Sequence, residues 1–110
     1  MNTFTRKKCL PCSGKMPKLK PTQWKKLLRE LGGGWKAVRG GRLEKEFRFE
    51  DFRQAWLFTN RIAQLAEKEY HHPDLFLAWG RVKVTIWTHA VGGLTENDFI
   101  LAAKIDRIRG

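Results

Sequence analysis

The sequence predicts an α+β domain: a four-stranded antiparallel sheet with three helices on one face, in the order α-β-β-α-β-β-α. Three observations carry this. Three segments repeat apolar residues at helical spacing, while other short segments alternate apolar with polar residues. The strands come in consecutive pairs joined by glycine turns, which makes hairpins and leaves no long parallel crossover. The chain has 110 residues, 42% of them hydrophobic, which is room for one core and not two.

Each element has its own signal. Trp24, Leu27, Leu28 and Leu31 recur at helical spacing, so a helix is expected over roughly 21–31, ended by Gly32-Gly33-Gly34. Trp35 to Val38 reads as a short strand and Gly40-Gly41 as a turn. Leu43, Phe47 and Phe49 alternate with Glu44, Glu46 and Arg48, the pattern of a half-buried strand. Asp51 is placed to cap a helix whose stripe is Phe52, Ala55, Trp56, Thr59, Ile62, Ala63 and Ala66, running to about Tyr70. Pro73 disfavours helical geometry at His72 and stops it. Leu75 to Trp79 and Val82 to His89 are two strands joined through Gly80, and Gly92-Gly93 is a turn. Thr95-Glu96-Asn97-Asp98 opens the last helix as a capping box, with Leu101, Ala102, Ile105 and Ile108 as its stripe. One sheet face, carrying residues such as Trp87, stays uncovered by helices, and an oligomer partner is one way to bury it.

Residues 1–20 contain Pro11, Ser13, Gly14 and Pro17 between basic side chains, and are expected to form a flexible basic arm outside a domain of residues 21–110. The net charge is +11, and it is uneven: residues 1–50 hold 14 basic and 4 acidic side chains. Such a field attracts nucleic acid, anionic membrane or an acidic protein without choosing among them. The apolar runs are too short for a membrane span, and no signal-peptide pattern is visible. Cys9 and Cys12 cannot build a secreted disulfide framework, and as two ligands they fall short of a structural zinc site. A reducing cytoplasm is the expected compartment.

The candidate chemistry rests on three histidines, His71, His72 and His89. The first two sit where a helix ends and the third where a strand ends, so one pocket can gather all three if those ends meet. Imidazole gives and takes protons near neutral pH. Other chemistries are disfavoured: Ser13 is the one serine, both cysteines fall in the arm, and there is no H-E-x-x-H helix or phosphate-binding glycine loop. Metal-free acid/base work remains.

The segment Glu67-Lys68-Glu69-Tyr70-His71-His72-Pro73, followed by Trp79 to Val84, Thr88-His89, Gly92-Gly93-Leu94-Thr95 and Asp98, resembles the pterin-4a-carbinolamine dehydratase family. The likeness extends over about residues 20–110 and includes Gly34-Trp35 and the Asp51-Phe52 helix start. It implies dehydration of 4a-hydroxytetrahydropterin to quinonoid dihydropterin, in pterin recycling after aromatic amino-acid hydroxylase turnover. His71 and His89 would be the acid/base pair and His72 would assist. Trp35, Glu67, Tyr70, Pro73 and Thr88 would surround the substrate, Trp35 as a wall and Glu67 orienting an imidazole from one turn before His71. Asp98 is read as structural, explained by its capping box. The resemblance implies no metal, no cofactor, no membrane partner and assembly as a homodimer or homotetramer. The alternative is a non-catalytic binding module, resembling the family members that serve a transcription factor or else binding nucleic acid through the basic half. Tyr70 and Trp87 depart from the family pattern beside the histidines, and the cysteine pair resembles an N-terminal extension of some bacterial members.

Overall fold

The computed structural model describes residues 3–6 and 17–109. Three α-helices, α1 (Pro21–Leu31), α2 (Phe52–Glu69) and α3 (Glu96–Arg109), pack with four strands, β1 (Lys36–Val38), β2 (Arg42–Arg48), β3 (Asp74–Ala78) and β4 (Arg81–Ile86). The strands form one antiparallel sheet in the order β1-β2-β4-β3. The expected α+β class and element order hold. No helix among the described residues is long and apolar enough to cross a membrane.

Period-2 alternation decides the sheet's two faces. Leu43, Phe47, Val82, Val84 and Ile86 point inward and are buried, whereas Glu46, Lys83 and Phe76 are exposed on the other face. The register sets Leu43 opposite Ile86 and Arg48 opposite Arg81, so Arg42 and Trp87 mark one end of the β2–β4 ladder. Asp51 caps α2 as expected, accepting from the Gln54 backbone N–H at 2.9 Å. The helix turns its Ala55, Phe58, Ile62, Ala66 side to the core, and Glu69 joins that buried row.

Phe52 and Trp56, expected in the α2 stripe, are instead 45% and 48% exposed, and Ala63 is exposed as well. The helix instead buries the Ala55, Phe58, Ile62, Ala66 row, and at its end Glu69 meets the α3 ammonium of Lys104 at 2.8 Å. The first two turns of α3 are buried on every side, from Asn97 to Ala103, so α3 is the central helix and not a one-sided amphipath.

Three further expectations changed. β4 ends at Ile86 and not His89: Thr88 pairs singly with Gly93, and His89–Val91 form a 3₁₀ turn. Trp35, expected as a substrate wall, is a core residue with 6% exposure, edge-on to Phe47 at 6.1 Å. Its indole N–H donates to Asp106 Oδ2 at 2.9 Å, and Lys45 Nζ donates to Asp106 Oδ1 at 2.7 Å. Gly33, at φ +69°, passes so close that a Cβ there would lie 2.6 Å from Asp106 Oδ2. The expected arm over residues 1–20 falls mostly outside the described residues, Cys9 and Cys12 included. Of its described part, Phe4 is buried against Phe99 at 6.1 Å, and the Leu19 N–H donates to the Leu94 carbonyl at 2.7 Å.

Asp106 therefore ties the end of α3 to Trp35 and to β2. Asp106→Ala leaves a buried indole N–H and a half-buried ammonium without their acceptor, and is expected to destabilise the fold by about 1–3 kcal/mol in urea unfolding. A loss below about 0.5 kcal/mol, the range of ordinary surface changes, would show that water replaces the carboxylate.

Candidate active site

Two chain reversals build the site. At the first, Tyr70 adopts a left-handed conformation (φ +56°) and ends α2, its N–H donating to the Ala66 and Glu67 carbonyls. Positive φ is strained for a residue with a Cβ, and such strain gathers at functional sites. His71 follows with its N–H donating to the Ala66 carbonyl at 3.2 Å. Pro73 then carries the chain, extended, into β3. At the second reversal, Thr88 and Gly93 exchange backbone hydrogen bonds, and Gly92 (φ +63°) ends the 3₁₀ turn that begins at His89.

The two reversals face each other across an open cleft of about 300 Å³, lined by Tyr70, His71, His72, Pro73, Asp74, Trp87 and His89. All three histidines meet there. A hollow of similar size, about 320 Å³, lies at the opposite end of the β2–β4 ladder against Arg48, Phe49, Trp79 and Arg81. It has no imidazole or carboxylate in its lining, so chemistry and not volume distinguishes the cleft.

Each imidazole is held differently. His71 is 4% exposed, and its Nε2 lies 2.6 Å from Oδ1 of the fully buried Asp98. Oδ2 of the same carboxylate accepts from the Thr88 hydroxyl at 2.9 Å and from the Thr95 backbone N–H at 2.8 Å. Because Thr88 donates to Asp98, the Thr95 hydroxyl donates to Thr88 across their 2.8 Å contact. An ionised carboxylate only accepts, so His71 carries hydrogen on Nε2. Its Nδ1 is then an acceptor in the neutral ring and a donor in the charged ring.

His72 is more open: its Nε2 lies 2.7 Å from Glu67 Oε1, with side chains 56% and 80% exposed. His89 is exposed and stacks on Trp87, with ring centroids 4.2 Å apart and planes at 29°. Arg42 sits over the same indole, its Cζ 3.8 Å from the ring centroid.

The expected site residues thus divide. Tyr70, Pro73 and the three histidines line the cleft. Glu67 orients an imidazole, but that of His72 rather than His71, because the helix ends at Tyr70 and the i, i+4 geometry is lost. Thr88 is buried beneath the cleft as part of the Asp98 network, and Trp35 is in the core. The residue underestimated is Asp98. Its T-x-x-D spacing correctly marks a cap, yet the cap occupies one carboxylate oxygen and leaves the other for His71. Trp87, expected beside the histidines, lines the cleft with them, and Asp74 joins the lining unexpectedly. Arg42 lies outside the lining and reaches it only through the Trp87 indole, a contact that cross-strand placement opposite Trp87 would have signalled.

Comparison with known proteins agrees with this frame. The family model described as Pterin 4 alpha carbinolamine dehydratase matches residues 17–108. A protein of Alkaliphilus metalliredigens, named provisionally a pterin-4-alpha-carbinolamine dehydratase, is 48% identical over 107 residues, covering 97% of this chain and 96% of the relative. The crystal structure of a protein from Brucella melitensis, titled transcriptional coactivator/pterin dehydratase, is 39% identical with a TM-score of 0.79, covering 86% of this chain and all of that one. A pterin dehydratase-like protein titled a RuBisCO assembly factor in the alpha-carboxysome shares the fold, with a TM-score of 0.61 and 24% identity over 73% of this chain and 94% of that one. By the extent of these matches, the chain belongs to the pterin-4-alpha-carbinolamine dehydratase family.

Proposed function

We propose that this protein dehydrates 4a-hydroxytetrahydropterin to the quinonoid dihydropterin and water, with the three histidines as its acid/base groups. The observation that carries the reading is the convergence of His71, His72 and His89 on one cleft, with His71 tied to a buried carboxylate. In this reaction a proton is delivered to the 4a-hydroxyl, the C–O bond breaks and water leaves. The adjacent ring nitrogen loses its proton, and its electron pair forms the new C=N bond. The protein's part is to hold a planar heterocycle and to position a proton donor and a proton acceptor, each worth about 10²–10⁴-fold. Asp98 keeps the His71 ring in one orientation through the 2.6 Å contact at Nε2.

The same reading gives the pterin as the small-molecule partner, pterin recycling in the cytoplasm as the setting, and a homodimer or homotetramer as the assembly. A second reading, a binding module like the coactivator named in the Brucella title, draws support from the +11 charge. The buried His71–Asp98 bond favours the enzyme, since a docking surface gains nothing from an oriented, nearly inaccessible imidazole.

His71→Ala and His89→Ala are each expected to lower kcat by about 10²–10⁴-fold in a stopped-flow assay on freshly generated 4a-hydroxytetrahydropterin. The far-ultraviolet circular dichroism should stay unchanged, and wild-type rates in both variants would remove the assignment. Asp98→Asn is expected to do two things at once. It should lower kcat about 10–100-fold by releasing the ring it orients, and destabilise the fold by about 1–3 kcal/mol by weakening a buried acceptor. Glu67→Gln, at an exposed pair, should change kcat by less than about tenfold and leave the urea midpoint nearly unmoved. Equal losses in the Asp98 and Glu67 variants would contradict the difference in burial between the two pairs.

A further inference from the structure

His71 and His72 each meet a carboxylate, but His89 meets none among the described residues; its ring rests on Trp87. The backbone brings these groups together. β2 and β4 pair with Leu43 opposite Ile86. One step beyond, Arg42 faces Trp87 on the outer side of the sheet, which explains the 3.8 Å approach of guanidinium to indole. Extended backbone at Thr88 (φ −94°, ψ 105°) then returns His89 to the same side as Trp87. Arg42, Trp87 and His89 form one column that ends in the cleft.

We infer that Arg42 is a positioning residue for His89, acting through Trp87. The inference rests on the dehydratase reading of the cleft, in which His89 exchanges a proton with the bound pterin. An exposed imidazole on a three-residue 3₁₀ turn has several staggered rotamers open to it. Stacking on the indole selects one, and the guanidinium fixes the plane of the indole in turn. Proton transfer needs donor and acceptor within about 2.6–3.2 Å, so loosening the column reduces the fraction of bound complexes that are aligned. Arg42 does not line the cleft. Its removal therefore acts on kcat and not on KM.

The test uses Arg42→Gln and Arg42→Lys, plus Arg42→Gln in a His89→Ala background, with steady-state dehydration kinetics and NMR of the histidine ring protons. Arg42→Gln should lower kcat about five- to tenfold with KM within about twofold. The His89 ring protons should move downfield as they leave the indole's shielding, while those of His71 stay. Arg42→Lys should recover most of the rate, because it retains a cation over the indole. In the His89→Ala background, Arg42→Gln should change kcat by less than about twofold. Unchanged kcat and unmoved His89 signals in Arg42→Gln would overturn the inference. So would a raised KM at constant kcat, which makes Trp87 a substrate wall, or an equal loss in the His89→Ala background. A wild-type protein without dehydratase activity would sink the reading of the cleft instead. The His89 signals in Arg42→Gln would then decide the contact alone, shifted signals supporting it and unmoved ones overturning it.

Discussion

The buried carboxylate of Asp98 is the group on which the rest depends. Fully enclosed, it accepts from His71, from the Thr88 hydroxyl and from the Thr95 N–H. Those donors come from the exit of α2, the exit of β4 and the start of α3. A carboxylate taken out of water is unfavourable by several kcal/mol unless its lone pairs are met. The three segments are therefore held in register by one requirement: each must present its donor or the charge stays uncompensated. The N-terminus of α3 adds its positive dipole end. The same atoms that begin a helix thus also aim an imidazole, and the stability of the domain and the geometry of the cleft are coupled at one side chain.

The cleft grades its histidines from rigid to open. His71 lies at the inner end, fixed by its contact with the buried Asp98 carboxylate. His72 sits near the rim beside Glu67, an exposed pair of the kind worth only about 0–1 kcal/mol. His89 closes the other side on an aromatic stack. The dehydration proposed above, which would admit a flat guest and release water, suits this gradient, since one ring defines the geometry while the groups at the mouth yield to traffic. Tyr70 belongs to the same mouth. It is 79% exposed and held in a left-handed conformation by the chain reversal that delivers His71 and His72.

Much of this is legible in the sequence, and what is not has physical causes. Pro73, the Asp51 cap, the Thr95-x-x-Asp98 box and the alternating strands are local signals, and the elements they mark form in the expected order, though β4 stops at Ile86 where the chain turns at Thr88. The phase of α2 was not local. Its apolar stripe is wide enough to be buried along either edge, and the edge carrying Phe58 and Ile62 is the one that meets the sheet and α3, with Glu69 pairing to Lys104 at its end. Trp35 illustrates the same limit: an aromatic after a glycine run fits a pocket wall as well as a core, and Asp106, 71 residues away, decides it. The convergence of the histidines followed from their positions at element ends, but their partners did not. Pairing Glu67 with His71 assumes a helix that continues, and the left-handed turn at Tyr70 hands that carboxylate to His72.

Strand alternation explains how one sheet serves both core and cleft. Leu43 and Ile86 face inward and are fully buried, while their immediate neighbours Arg42 and Trp87 face outward and lead to His89. A change at the inner pair opens a cavity in a close-packed interior, where even one methylene is felt. A change at the outer pair meets solvent and the cleft. The site's wall can therefore be rebuilt without disturbing the core beneath it. The constraint runs one way only: the Asp98 network reaches inward through Thr88, so the position directly after Trp87 has no such freedom.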